Sequence, residues 1–286
     1  MYVVAGATGR VGSATAESLL SAGAEVRVLV RDRAGAEIWT SRGAEVQVVD
    51  LEDRDALGRA LKGCSGFFVL LPFDLTVDDL AVHADRLISA ITGAVSDQKV
   101  PHVVMLSSGG ADLAEGTGPI TGLHRLEQAL LTTGTTLTAL RSSHFQEKVT
   151  DVIDVARESG AYPVFAASAD TPLPMVATRD IGEVAARALL VPPRASETID
   201  IIGPAYTERE VAAVLADALG RELHVATIPE HARVDTLIDA GFPLHVAESL
   251  AELYRADEQG LLAPRGDRSI CASTTLVSTI DRLLAA

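Results

Sequence analysis

The chain is poor in cysteine, poor in positive charge and without any long apolar run. Two cysteines, Cys64 and Cys271, occur in 286 residues. That excludes a disulfide framework and points to free thiols in a reducing compartment. Cys64 falls in a loop before a strand, with no metal-ligand spacing around it, so no metal site is expected. Lysine and arginine number 24 against 39 aspartates and glutamates, a formal net charge of −15. Such a surface repels phosphate backbones and excludes general nucleic-acid binding. The longest apolar runs, such as residues 67–71, are far too short to span a bilayer. A first strand that begins at Tyr2 leaves no room for a leader peptide, so the expected location is cytoplasmic. What the chain does have is 48% hydrophobic and 22% charged residues, the balance of a soluble protein with a sizeable core.

The stretch Val3-Val4-Ala5-Gly6-Ala7-Thr8-Gly9-Arg10-Val11-Gly12 organises the rest. An apolar run stops at Gly6, glycines recur at every third position, and a helical period follows. A strand that passes into a helix through closely spaced glycines is a phosphate-binding turn. Gly6 permits the tight turn, Gly9 lets the backbone approach a pyrophosphate, and Gly12 lets helix and strand pack closely. The helix then offers unpaired N–H groups and a positive dipole end to the anion.

Strand and helix patterns alternate from there. Strands are predicted over 2–5, 26–30, 46–49, 67–71, 103–106 and 137–140. Helices are predicted over 9–22, 34–41, 51–61, 79–91 and 123–131. Continuous apolar strands between helices predict a doubly wound parallel sheet of the Rossmann type, its ligand beyond the carboxyl ends of the strands. After residue 142 the rhythm breaks. Residues 1–142 are read as the dinucleotide-binding domain. Residues 143–286 are read as a smaller α+β lobe that covers the substrate, with segments such as a 178–190 helix packing back on the first domain. Thr178 is the expected cap of that helix, and residues 198–202 are expected as a strand of the lobe.

The end of the second strand chooses the cofactor. A carboxylate there selects the unphosphorylated dinucleotide, whereas an arginine accommodates a 2′-phosphate. The chain has Arg31 first and Asp32 second. A guanidinium forms a bidentate fork with phosphate oxygens, so NADP(H) is expected over NAD(H), with Arg10 near the same phosphate. Asp50 and Leu51 end the third strand, where the carboxylate faces the adenine amino group and the leucine covers the ring. Capping the next helix is the competing role of Asp50. Leu71, Pro72 and Phe73 end the fourth strand beside the ribose and pyrophosphate. Ser107 and Ser108 end the fifth and are expected among the cofactor-binding residues, bonding of backbone at the strand terminus being their competing role.

Together these segments resemble the atypical short-chain dehydrogenases/reductases of the NmrA-like branch, which includes type 2 quinone reductases. The resemblance rests on the glycine turn, on Val28 to Asp32, on Val49-Asp50-Leu51 and on Ser107 to Ala111. It continues through His124 with Glu127, Thr138 to Arg141, Phe145-Gln146-Glu147 and Val176 to Ala186. It implies a Rossmann domain that binds NADP(H), in a family holding both reductases and redox-sensing regulators that bind the dinucleotide without turnover. Most short-chain dehydrogenases use a Tyr-x-x-x-Lys pair after the fifth strand. Here no tyrosine occurs between Tyr2 and Tyr162. His124 stands near where that tyrosine would be and is the candidate proton donor. His144 and Phe145, just past the sixth strand, are candidates for the substrate pocket. The expected activity is direct hydride transfer from NADPH to a small flat acceptor such as a quinone, in a monomer or homodimer. The alternative is a non-catalytic NADP(H) sensor that binds a protein partner.

Overall fold

The structure, a computed structural model, describes residues 1–32 and 35–285. In chain order it runs β1 (Tyr2–Val4), α1 (Arg10–Ser21), β2 (Val26–Val30), α2 (Ala36–Ser41), β3 (Glu45–Val48), α3 (Arg54–Leu61), β4 (Gly66–Val69), α4 (Leu80–Gln98), β5 (His102–Ser108), α5 (Ile120–Leu131) and β6 (Thr136–Ser142). There follow β7 (His144–Phe145), a 3₁₀ turn (Gln146–Asp151), α6 (Ile153–Ser159), β8 (Ala161–Val164), β9 (Leu173–Val176), α7 (Thr178–Leu190), β10 (Glu197–Ile202), β11 (Ala205–Tyr206) and α8 (Glu208–Leu219). The chain closes with β12 (His224–Thr227), a 3₁₀ turn (Glu230–Ala232), α9 (Arg233–Asp239), α10 (Leu244–Glu258), β13 (Arg268–Cys271) and α11 (Leu276–Ala285). Among the described residues no helix is long and apolar enough to cross a membrane.

The main sheet is parallel and eight-stranded, in the order β13-β10-β6-β5-β4-β1-β2-β3. Helices cover both faces, which is why central strands such as β1 and β4 are continuous apolar runs, whereas the outer strands β3 and β13 carry polar residues. Neighbouring residues in a strand point to opposite sides. Val3, Phe67 and Val103 therefore join the core under α3, α4 and α5. Val4, Phe68 and Val104 join the core under α1, α2 and α7. The crossing of α7 over α1 is tight: a Cβ on Gly182 would stand 2.4 Å from the Ala14 Cβ. A smaller lobe has its own core of Val149, Tyr162, Met175, Leu215 and Ile280. Its strands form a three-stranded sheet, β11-β9-β7, and a two-stranded one, β12-β8.

The structure departs from the sequence pattern in several places. α4 runs on to Gln98 because Ala94 and Val95 extend its buried stripe, and Lys99 ends it at φ 49°. α3 starts at Arg54, where the Asp53 side chain caps the Ala56 N–H. β10 pairs in parallel with β6 in the main sheet. A parallel neighbour needs a long crossover, and the chain between them, including α7, supplies it. At α7 the cap position falls to Ala177, and Thr178 is the first helical residue. Its N–H and hydroxyl are held by the Glu147 carboxylate at 3.0 and 2.7 Å.

Candidate active site

In this strand order the chain passes from β3 on one side of β1 to β4 on the other, leaving a crevice between the ends of β1 and β4. The glycine turn stands there. Gly6 holds φ 67°, and the Gly9 N–H closes the turn on the Gly6 carbonyl at 2.9 Å. A Cβ on Gly12 would lie 2.2 Å from that carbonyl oxygen, so α1 can cross β1 this closely only with glycine. Gly9 differs. Its φ of −94° suits any residue, and a Cβ there would meet only the Gly6 oxygen, at 3.4 Å. The protein does not need glycine at position 9, whereas a pyrophosphate lying on the backbone does. α1 also begins with no side-chain cap and no acid in its first turn, so its leading N–H groups are left for an anion. The residues present therefore fit a dinucleotide. Ala7 and Val11 are buried and have only backbone to offer, while Thr8 and Arg10 are exposed.

Arg31 is exposed at the end of β2. It lies within electrostatic reach of Asp74. The Asp74 carboxyl is held below its ordinary range chiefly by the Thr76 hydroxyl and N–H, with Arg31 a smaller contributor. Arg33, the next loop arginine, lies outside the described residues. The exposed Asp50 accepts the Glu52 N–H at 2.9 Å, and Leu51 packs partly buried against the core. Leu71 is buried, and Phe73 is 47% exposed. Leu71, Pro72 and Phe73 line a cleft of about 120 Å³ together with His83, Gly122 and Ser249. A wider hollow of about 480 Å³ between α3 and α4 is lined by Glu52, Arg54, Asp85 and Arg86 and contains none of the expected site residues.

Beyond β5 and β6 the side chains are more committed than their sequence positions suggest. Ser107 is buried, and its hydroxyl donates to the Glu127 carboxylate at 2.5 Å. The same carboxylate accepts from Arg141 Nη2 at 2.7 Å, inside the fold. Ser108 is the partly exposed serine of the two. His124 Nδ1 lies 2.9 Å from the Ala111 carbonyl oxygen. A carbonyl only accepts, so Nδ1 carries the hydrogen and Nε2 is left for other partners. His144 Nε2 pairs with Asp257 of α10 at 3.1 Å, which commits that nitrogen to joining β7 to the helix above. Phe145 packs partly buried against the core beneath α1 and α7. Arg10 Nη2 reaches Thr150 of the first 3₁₀ turn at 3.1 Å.

The loop after β5 is a seat for α10 and for the chain just beyond it. A Cβ on Gly118 would stand 2.2 Å from the Ser249 carbonyl oxygen, and one on Gly109 2.3 Å from that of Leu262. Sequence reasoning missed this seat, and it missed the Ser107–Glu127–Arg141 cluster. Glu127 and Arg141 were visible only as separate family-like positions. A further cluster in the lobe joins Lys148, Glu208 and the Tyr162 hydroxyl, which donates to Glu208 at 2.8 Å. Burial and then Glu208 push that phenol well above its ordinary range. Among the described residues no group of three or more His, Cys, Asp or Glu side chains is placed to hold a metal.

The sequence model of the NmrA-like family matches residues 2–264. A (4-alkanoyl-5-oxo-2,5-dihydrofuran-3-yl)methyl phosphate reductase of Streptomyces griseus is 32% identical over 267 residues, 92% of this chain and 89% of that protein. An NAD(P)H azoreductase of Xenophilus azovorans is 28% identical over 255 residues, 89% of this chain and 86% of that protein. Among solved structures, an NADPH-dependent quinone oxidoreductase of Escherichia coli, complexed with NADPH, matches with a TM-score of 0.76 at 21% identity. That match covers 99% of this chain and 100% of the other, and at that identity it shows the fold.

Proposed function

The chain belongs to the NmrA-like family, and from that footing we propose that it is an NADP(H)-dependent oxidoreductase that reduces a small flat acceptor such as a quinone. The open space at Gly9, ahead of an uncapped helix, is the observation that carries the cofactor half of this reading. The backbone from Gly6 to Gly12 holds the pyrophosphate. Arg31 takes the 2′-phosphate, Asp50 and Leu51 the adenine, and the loop from Leu71 to Phe73 flanks the ribose. Relatives of similar length are reductases of an azo compound and of an unsaturated lactone, which supports an acceptor with a conjugated system.

When bound, NADPH supplies a hydride, so that a quinone taking it with one proton leaves as the hydroquinone and NADP⁺ remains. The chain's part is to hold cofactor and acceptor against one another and to exclude water. A quinone spreads the incoming charge over its ring, so a strong general acid is dispensable. That agrees with the absence of tyrosine between Tyr2 and Tyr162. The test is the decay of NADPH absorbance with a panel of quinones, azo compounds, enones and ketones. Turnover of the conjugated acceptors is expected. Silence across the panel, in protein that binds NADPH, would overturn the enzyme reading in favour of a sensor.

A further inference from the structure

The glycine turn meets the smaller lobe through the first 3₁₀ turn, where Arg10 reaches Thr150. One residue further on, the Asp151 carboxylate lies within electrostatic reach of Tyr254 on α10. The Tyr254 ring stacks on Phe165, at the end of β8, with centroids 4.9 Å apart and planes 13° from parallel. This is the one aromatic stack among the described residues of a chain only 4% aromatic.

α10 has two working stripes. Ser249, Leu253 and Asp257, four residues apart, meet Gly118, the core under α5 and His144. They lay the helix across the sheet ends. The next stripe carries Leu250, Tyr254 and Glu258. Glu258 is fixed by Arg233 at 2.5 Å and by the Ala167 N–H at 2.6 Å. Both ends of the stack are therefore held by packed neighbours, and both rings remain partly exposed. The Tyr254 hydroxyl makes no hydrogen bond among the described residues, whereas the buried Tyr162 hydroxyl spends its proton on Glu208. Burial, then Asp151 and Glu208, push Tyr254 up to about 12. It therefore stays protonated at physiological pH, a fixed hydrogen-bond donor and a poor acid.

We propose that Phe165 and Tyr254 are the specificity-determining platform for the acceptor. A flat conjugated ring lies against the stacked pair, and its carbonyl oxygen accepts from the Tyr254 hydroxyl. The proposal rests on the reductase reading above and names the residues that would choose the acceptor. Stacking rewards planarity whatever the ring's substituents, and a donor that never ionises rewards a carbonyl or similar acceptor atom.

Menadione in the presence of saturating NADP⁺ serves as a non-reacting probe, its dissociation constant measured by calorimetry alongside that of NADPH. Tyr254→Leu and Phe165→Leu are each expected to weaken menadione roughly tenfold or more. Tyr254→Phe keeps the stack and is expected to weaken it by roughly three- to tenfold. NADPH affinity stays at the wild-type value in all three. Wild-type menadione affinity in Tyr254→Phe and in either leucine variant would overturn the platform, as would failure of the wild-type protein to bind menadione at all. Menadione that binds through these residues while NADPH is never oxidised would uphold the platform and overturn the reductase reading instead. The conservative Tyr254→Phe variant keeps the test decisive if a leucine variant fails to fold.

Discussion

A Cβ on Gly12 would collide with the carbonyl oxygen of Gly6 at 2.2 Å, although the same oxygen leaves Gly9 room for one at 3.4 Å. The two glycines thus answer to different partners, one to the fold and one to the ligand. Gly9→Val should fold, because φ −94° and ψ 170° are open to a branched residue. Its NADPH affinity should fall by about a hundredfold or more, since the side chain fills the space the pyrophosphate needs. Gly12→Ala should instead lower the melting temperature, because a backbone carbonyl cannot step aside for the new methyl. Circular dichroism with calorimetric titration separates the two effects. A folded Gly9→Val protein with unaltered affinity would remove the turn as the phosphate site.

Cofactor preference should follow Arg31. A charge-assisted pair with a phosphate is worth roughly 1.5–3 kcal/mol, about ten- to a hundredfold in affinity. Arg31 is exposed, which places its effect at the lower end of that range. Arg31→Ala should therefore weaken NADPH by about tenfold and leave NADH nearly untouched. Titrating both dinucleotides against both proteins checks this. An unchanged NADPH-to-NADH ratio would show that the 2′-phosphate is held elsewhere.

The fold was legible where the signal is local. Glycine spacing marks the turn, and apolar runs such as Phe67 to Val69 mark buried strands whatever lies beyond them. Contacts between residues far apart in sequence leave no such trace. His144 and Asp257 meet across 113 positions, and nothing in either neighbourhood announces the other. Ser107 reads as a cofactor-binding serine at a strand end until Glu127 and Arg141 are brought beside it by α5 and β6. β10 looks like part of a separate lobe because its place in the sheet depends on where α7 carries the chain. Even α7 takes its cap from Glu147, 31 residues upstream, which is why the local preference of Thr178 misplaced it by one residue.

The pairing of Arg233 with Glu258 should appear in the pH dependence of stability. Arg233 is fully buried and its Nη2 donates to Glu258 at 2.5 Å. That hydrogen bond, opposed by burial and aided by the Ala167 N–H, holds the Glu258 carboxyl below its ordinary value. A depressed carboxyl stabilises the fold above its unfolded-state pKa, about 4.3, and this contribution disappears as pH falls through the lower folded value. Glu258→Gln should thus cost about 1–3 kcal/mol near neutrality, since it leaves a buried guanidinium without its counter-ion. The gap between the two proteins should narrow as pH falls below about 4.3 and close only below the lower folded value. Urea titrations at pH 7 and pH 3.5 measure it, and an equal gap at both values would show that the ion pair is not its source.

His124 is the final test of how the proton is supplied. Its Nδ1–H is held by the Ala111 carbonyl, so the one proton it has to give sits on Nε2 and is present only in the imidazolium. A ketone that takes a hydride becomes a strongly basic alkoxide, and general acid catalysis then contributes on the order of a hundred- to ten-thousandfold. A quinone becomes a far less basic phenolate, which can take its proton from water. His124→Ala should therefore slow quinone reduction by roughly tenfold or less, and ketones should be poor substrates of both proteins. The measurement is kcat/KM for one quinone and one ketone in wild-type and variant protein of matched NADPH affinity. Fast ketone reduction by the wild-type protein, abolished in His124→Ala, would make His124 the general acid and rule out unassisted hydride transfer. An unchanged quinone rate in the variant would instead assign the proton to water alone and leave His124 with only its hydrogen bond to the Ala111 loop.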